Sequence, residues 1–165
     1  MNFKKLFITA VAIISVFCLF SGAYASNWGD FSDISGHWAE ATIKTGFEDG
    51  LISGLSDTTV APDTPITAAQ MITVLCRVLG ATEKADISSL GITSDAWYAD
   101  AAGKALNLGL ISARTGSLDS PMTRQNALSM MAKAFCLVPA EPDYTVLAPF
   151  SDVSKISEEN RGAVA

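Results

Sequence analysis

Apolar residues along this chain recur at helical spacing. Ala39, Ile43, Phe47 and Leu51 fall every fourth position, with Glu40, Lys44 and Glu48 between them, which predicts an amphipathic helix with one buried face. Gly50 follows as a left-handed stop that lets Leu51 or Ile52 fold back onto the helix. The same logic returns at Trp97, Ala101, Ala105 and Leu108 before Gly109. A second kind of helix opens at Ile66-Thr67-Ala68-Ala69-Gln70-Met71. Here Thr67 is the cap, Gln70 its reciprocal partner, and Ile66 with Met71 a hydrophobic staple. Its predicted buried stripe is Val74, Leu75, Val78 and Leu79. Thr123-Arg124-Gln125-Asn126 opens its counterpart, with Leu128, Met131, Ala132 and Phe135 as the apolar side. That start is more weakly capped, because Asn126 is shorter than Gln70 and Ala127 is a poor staple.

These elements form a unit of helix, loop and helix that recurs after about sixty residues. Trp38 is answered by Trp97, Gly50-Leu51-Ile52-Ser53 by Gly109-Leu110-Ile111-Ser112, and Phe31-Ser32-Asp33-Ile34 by Phe150-Ser151-Asp152-Val153. A constant period implies one structural unit that needs its neighbours to bury its apolar face. Residues 26–80 form the first copy, 81–90 a connector, 91–138 the second copy, 139–149 a Pro-rich connector, and 150–165 the opening of a third. The fold class is all-α, with room for short strands only near Ile34 or Val153.

The first 25 residues read as a secretory signal: Lys4 and Lys5, an apolar run from Leu6 to Phe20, and a small-x-small site ending at Ala25 before Ser26. The run is shorter than a bilayer span, so no membrane association is expected after cleavage between Ala25 and Ser26. Loss of that segment removes two lysines and no acid, taking the formal charge from −6 to −8. An acidic surface disfavours nucleic acid and anionic membranes. Two cysteines remain, Cys76 and Cys136, each in an apolar helical run and at non-equivalent positions of the two copies. Two buried thiols are the expectation, and a disulfide is the alternative that secretion permits.

In the order and spacing of these residues the chain resembles the S-layer homology modules of bacterial surface proteins. The residues that carry the resemblance are Phe31-Ser32-Asp33-Ile34-Ser35-Gly36-His37-Trp38-Ala39, then Gly50-Leu51-Ile52-Ser53-Gly54, Pro62, and Ile66-Thr67-Ala68-Ala69-Gln70. The second copy is looser at its entry, Asp95-Ala96-Trp97-Tyr98, but Met122-Thr123-Arg124 keeps the family's arginine, which Ala68 replaces in the first copy. The resemblance implies modules packed in a pseudo-threefold helical prism, the third one truncated. It also implies non-covalent binding of a secondary cell-wall polysaccharide, often pyruvylated, in an inter-module groove, with the protein held at the cell wall or S-layer.

Arg124 is the sharpest candidate for binding on physical grounds as well. A cation at the first turn of a helix opposes the positive potential of the exposed amides, by a few tenths to about 1 kcal/mol. An anion that joins both would explain it; the alternative is a solvated arginine. Thr123 shapes that turn. Trp38 and Trp97 admit packing between modules or stacking against sugar. His37, the only histidine, reads as a hydrogen-bonded structural residue. Because Ala68 has no cation, at most one competent site is expected, on the second copy.

Nothing in the sequence assembles a catalytic or metal constellation. One histidine and two distant cysteines do not make a zinc site, and no nucleophile elbow is present. Asp57, Asp63 and Asp119 lie among Ser, Thr and Pro, as solvated loop acids rather than a glycosidase pair. The chain is therefore expected to be a wall-attachment module that is not an enzyme and uses no cofactor or metal. Two alternatives remain open: a degenerate scaffold that binds protein rather than sugar, and the anchoring part of a secreted enzyme. The brevity of the third copy predicts a fragment that is marginal alone and prone to self-association.

Overall fold

The computed structural model describes residues 27–165, so the signal segment, including Ala25 and Ser26, lies outside the described residues. Among the described residues there are five α-helices: α1 (Glu40–Glu48), α2 (Ala68–Val78), α3 (Ala99–Asn107), α4 (Arg124–Ala134) and α5 (Glu158–Val164). Short 3-10 turns lie between them, one at Val153–Lys155 where a strand was allowed. Among the described residues β pairing is limited to the isolated bridges Ser56↔Thr59 and Thr67↔Pro121. The protein is all-α, as the periodicity predicts. The chain divides between Pro62 and Asp63 into two compact units, a boundary inside the first sequence copy.

In the first unit the core is aromatic. Phe31 sits edge-on to Phe47 at 5.4 Å and to Trp28 at 5.7 Å. The loop closes over it because Asp33 accepts the amides of Val60 (3.0 Å) and Ala61 (2.6 Å). Those two bonds hold the Asp33 carboxyl below its ordinary range. Gly54, at φ +78°, lies so close to Phe31 that an added Cβ would be 2.7 Å from the ring.

The second unit is built by helix pairing across copies. α2, the second helix of the first copy, packs on α3, the first helix of the second copy; α4 pairs in the same way with α5. The shared core gathers Ala69, Ile72, Leu75, Ala102, Ala105, Leu110 and Ile111. Small residues on α3 allow close approach, and buried Gly103 sits so tightly against the connector that its carbonyl accepts the Ala85 amide at 3.0 Å. Asp100 fastens the same region by bonding both Lys104 and Lys84 at 2.7 Å, which keeps its carboxyl low.

Four helices end alike. After α1, α2 and α3 the next-but-one residue is Gly50, Gly80 or Gly109 in left-handed conformation, and the following amide returns to the carbonyl five residues earlier: Leu51 to Gly46, Ala81 to Cys76, Leu110 to Ala105. After α4 the same position is Cys136, at φ +54°, with Leu137 bonding Ala132 at 2.8 Å. Cys136 is thus an exposed terminator and not a buried helical thiol. Cys76 is buried as expected, and desolvation pushes its thiol up.

Two predicted stripes are rotated. On α2 the buried side is Ala68, Ala69, Ile72, Leu75 and Cys76, whereas Val78 is exposed. On α4, Ser129 and Met130 are buried while Leu128 and Phe135 are exposed. The reason is tertiary: the contact face is set by the helix that each one meets rather than by its bulkiest residues, and on α2 it includes the small Ala68 and Ala69.

Candidate functional site

Both second helices begin with a threonine cap. Thr67 accepts the Gln70 amide at 3.2 Å, and Gln70 Oε1 accepts the Thr67 amide at 2.9 Å, completing the expected capping box. Thr123 accepts the Asn126 amide at 3.3 Å without a reciprocal bond. Asn126 Oδ1 instead accepts from Asn160 Nδ2 at 2.7 Å, and Gln125 Oε1 accepts the Ser157 amide at 2.9 Å. The third-copy segment therefore docks on α4 through side chains that the cap leaves available.

The two helix starts differ in their remaining amides. At α2 the segment before α4 folds antiparallel across the first turn: Ala68 donates to the Ser120 carbonyl (3.3 Å), Ala69 to Leu118 (2.8 Å), and Met122 returns to Ile66 (2.9 Å). Ala68 itself is buried. That start offers no donor to an outside anion. At α4 the amides of Arg124 and Gln125 meet no acceptor among the described residues, and the Arg124 side chain is exposed with no ion pair there. Two amides and a guanidinium at a helix amino end are the components of a carboxylate or phosphate site.

The indoles resolve toward the surface. Trp38 is 90 % exposed and Trp97 63 %, so neither is core. Trp97 precedes α3 rather than lying on its stripe, which is why the helical spacing misassigned it. Its neighbour Tyr98 lies edge-on at 5.3 Å and donates its hydroxyl to Asp119 at 2.8 Å. That bond, the main cause, raises the Tyr98 phenol above its ordinary range, and it fastens the Trp97 turn to the segment leading into Thr123. Asp119 is therefore a bonded residue rather than a purely solvated loop acid. No local sequence signal pairs Tyr98 with Asp119, because their contact depends on how α3 meets the following loop.

His37 Nδ1 accepts the Ala39 amide at 3.2 Å, and its ring lies 5.4 Å from Trp38, in keeping with a structural role. Among the described residues no group of His, Cys, Asp and Glu could hold a metal ion. No described helix is long and apolar enough to cross a membrane.

Comparison with known proteins adds a family. Residues 30–72 match the S-layer homology domain, a span running from the Phe31 core through α1 into the first turn of α2. The chain is 27 % identical over 151 residues to the surface-layer 125 kDa protein of Lysinibacillus sphaericus, covering 90 % of this chain and 12 % of that one. It is 24 % identical over 139 residues to the amylopullulanase of Thermoanaerobacterium thermosulfurigenes and to exoglucanase XynX of Acetivibrio thermocellus, covering 82 % of this chain in both cases. The chain spans only 8 % of the first enzyme and 13 % of the second. S-layer homology domains anchor S-layer proteins and cell-surface enzymes to the cell wall. With the motif order, the all-helical repeat and the match at residues 30–72 in agreement, the chain carries an S-layer homology domain over those residues.

Proposed function

We propose that this chain attaches non-covalently to the bacterial cell wall by holding an acidic secondary polysaccharide, one bearing pyruvyl or similar carboxylates, at the amino end of α4. Arg124 supplies the guanidinium fork, the Arg124 and Gln125 amides complete the anion cradle, and Thr123 fixes the turn by capping it. Trp97, tethered through Tyr98 and Asp119, offers a face for a sugar ring, and Trp38 offers another on the first copy. Binding of this kind needs no chemistry and no cofactor. The reading includes secretion with cleavage after Ala25, modules at 26–80, 91–138 and 150–165 arranged as a prism, and self-association through the third-copy segment.

One observation carries this reading: the α4 start leaves two amides and a cation without protein partners among the described residues, while the equivalent α2 start is closed by backbone carbonyls. The test is retention on purified wall sacculi of the wild-type chain and of Arg124→Gln. Loss of one charge-assisted carboxylate contact, about 1.5–3 kcal/mol, should weaken retention by about 10- to 150-fold. Stripping the secondary polymer should abolish it. Retention unaffected by both treatments refutes the proposal.

A further inference from the structure

We propose that Trp97 and Asp119 form a second sugar subsite, one for an uncharged, hydroxyl-bearing unit of the wall polysaccharide beside the acidic unit at α4; this rests on the polysaccharide reading above. Trp97 is 63 % exposed, yet its ring is not loose on the surface. Tyr98 lies against it at 5.3 Å and 85°, and the Tyr98 hydroxyl is itself committed to Asp119 Oδ2 at 2.8 Å. An exposed indole braced in this way loses little freedom when a ligand covers it. The same bond orients the carboxylate: Oδ2 is occupied, and Oδ1 has no donor among the described residues.

An aromatic face beside a carboxylate acceptor matches the two kinds of surface on a pyranose. Its C–H face is apolar enough to lie on an indole, and its hydroxyls donate charge-assisted hydrogen bonds to a carboxylate oxygen. The negative charge also selects. A unit carrying a carboxylate is repelled by Asp119 and drawn to Arg124, whereas a neutral unit is free to donate to Asp119, so the two residues set which unit lies where. Arg124 follows Asp119 by five positions, at most about 18 Å of backbone, within the length of a short oligosaccharide. The segment between them is held in place, with the Ser120 carbonyl accepting the Ala68 amide at 3.3 Å and the Met122 amide donating to Ile66 at 2.9 Å. At the equivalent positions the first copy keeps an indole and an acid, Trp38 and Asp63, but has Ala39 for Tyr98 and Ala68 for Arg124. The brace and the cation thus occur together in the second copy and are missing together from the first.

Nuclear magnetic resonance titration of the chain with short polymer fragments released from sacculi tests this. The signal read is the Trp97 indole N–H, assigned by its loss in Trp97→Phe. Two forms of the fragments are used: native, and carboxyl-reduced, in which each carboxylate has become an alcohol. Both are expected to shift the Trp97 signal, the native form binding at least about tenfold more tightly. Asp119→Ala should weaken binding of both forms at least about tenfold while keeping their ratio. Tyr98→Phe, which removes only the phenolic oxygen, should weaken both by about three- to tenfold. Arg124→Gln should lower affinity for the native form and bring the ratio near one. Circular dichroism checks that each variant is folded. A Trp97 signal unmoved by the reduced fragments, or affinities unchanged in folded Asp119→Ala or Tyr98→Phe, overturns the subsite. A ratio near one in the wild-type chain, with the Trp97 shift intact, overturns the anion site at α4 and leaves the subsite standing, so failure of one idea is distinguishable from failure of the other.

Discussion

Cys136→Gly is expected to stabilise the second unit. Cys136 ends α4 at φ +54°, with its amide on Lys133 at 3.1 Å and the next amide on Ala132 at 2.8 Å. The corresponding positions after α1, α2 and α3 are glycines at φ +72°, +60° and +70°. An L-residue in this conformation costs about 1–2 kcal/mol. Glycine removes that strain but gives the unfolded chain more freedom, about 0.5–1 kcal/mol. Because the Cys136 side chain is exposed, little packing is lost. The net gain is about 0.5–1 kcal/mol, or about 2–8 °C in Tm for a unit of this size. Calorimetry or circular dichroism melting under reducing conditions measures it. Cys136→Ala is the control: it keeps the backbone strain and should stay within about 0.5 kcal/mol of wild type. Equal effects of the glycine and alanine variants, or a fall in Tm with glycine, would refute the assignment of strain to the backbone.

Two further predictions concern the first unit. The Val60 and Ala61 amides lower the Asp33 carboxyl in the folded state, so its contribution to stability is present above the unfolded value of about 3.9 and is lost as pH falls through the depressed folded value. An acid titration followed by Trp28 fluorescence should show the first unit loosening below about pH 4, and Asp33→Asn should flatten that dependence; an unchanged acid profile counts against the bond. Gly54→Ala places a methyl 2.7 Å from the Phe31 ring at φ +78°, and about 2–4 kcal/mol of lost stability is expected, measured by denaturant unfolding, with a loss under about 0.5 kcal/mol as the contrary result.

Local chemistry was legible in the sequence where it is local in the structure. The Thr67–Gln70 box, the weaker Thr123 cap and the glycine stops at Gly50 and Gly109 involve residues within one turn, and each forms as the sequence predicts. Arg124 likewise occupies the first position of α4. What depends on neighbours was not legible. The buried faces of α2 and α4 follow the helices they meet, through Ala68, Ala69, Ile72, Leu75 and Cys76 on one and Ser129 and Met130 on the other, so Val78, Leu128 and Phe135 turn outward. Cys136 was hidden because its alignment with Gly80 says nothing of φ until the backbone is seen. The tether from Tyr98 to Asp119 and the docking of Asn160 on Asn126 join residues 21 and 34 positions apart, beyond any periodicity.

The two copies have diverged in a coordinated way at their second helices. In the first copy the arginine is absent and the helix amides are consumed by Leu118 and Ser120; in the second the arginine is present and the amides stay available. A closed helix start has no use for a cation, and an arginine at position 68 would have to leave a buried position to reach solvent. Restoring the residue alone should therefore not restore a site. Ala68→Arg is expected to lower stability by about 1–3 kcal/mol through overpacking and to add no wall-binding capacity in a saturation measurement on sacculi. If that variant instead binds polymer at a second site while remaining as stable as wild type, the backbone carbonyls of the Leu118–Ser120 segment do not govern anion access, and the contrast between the two helix starts loses its meaning.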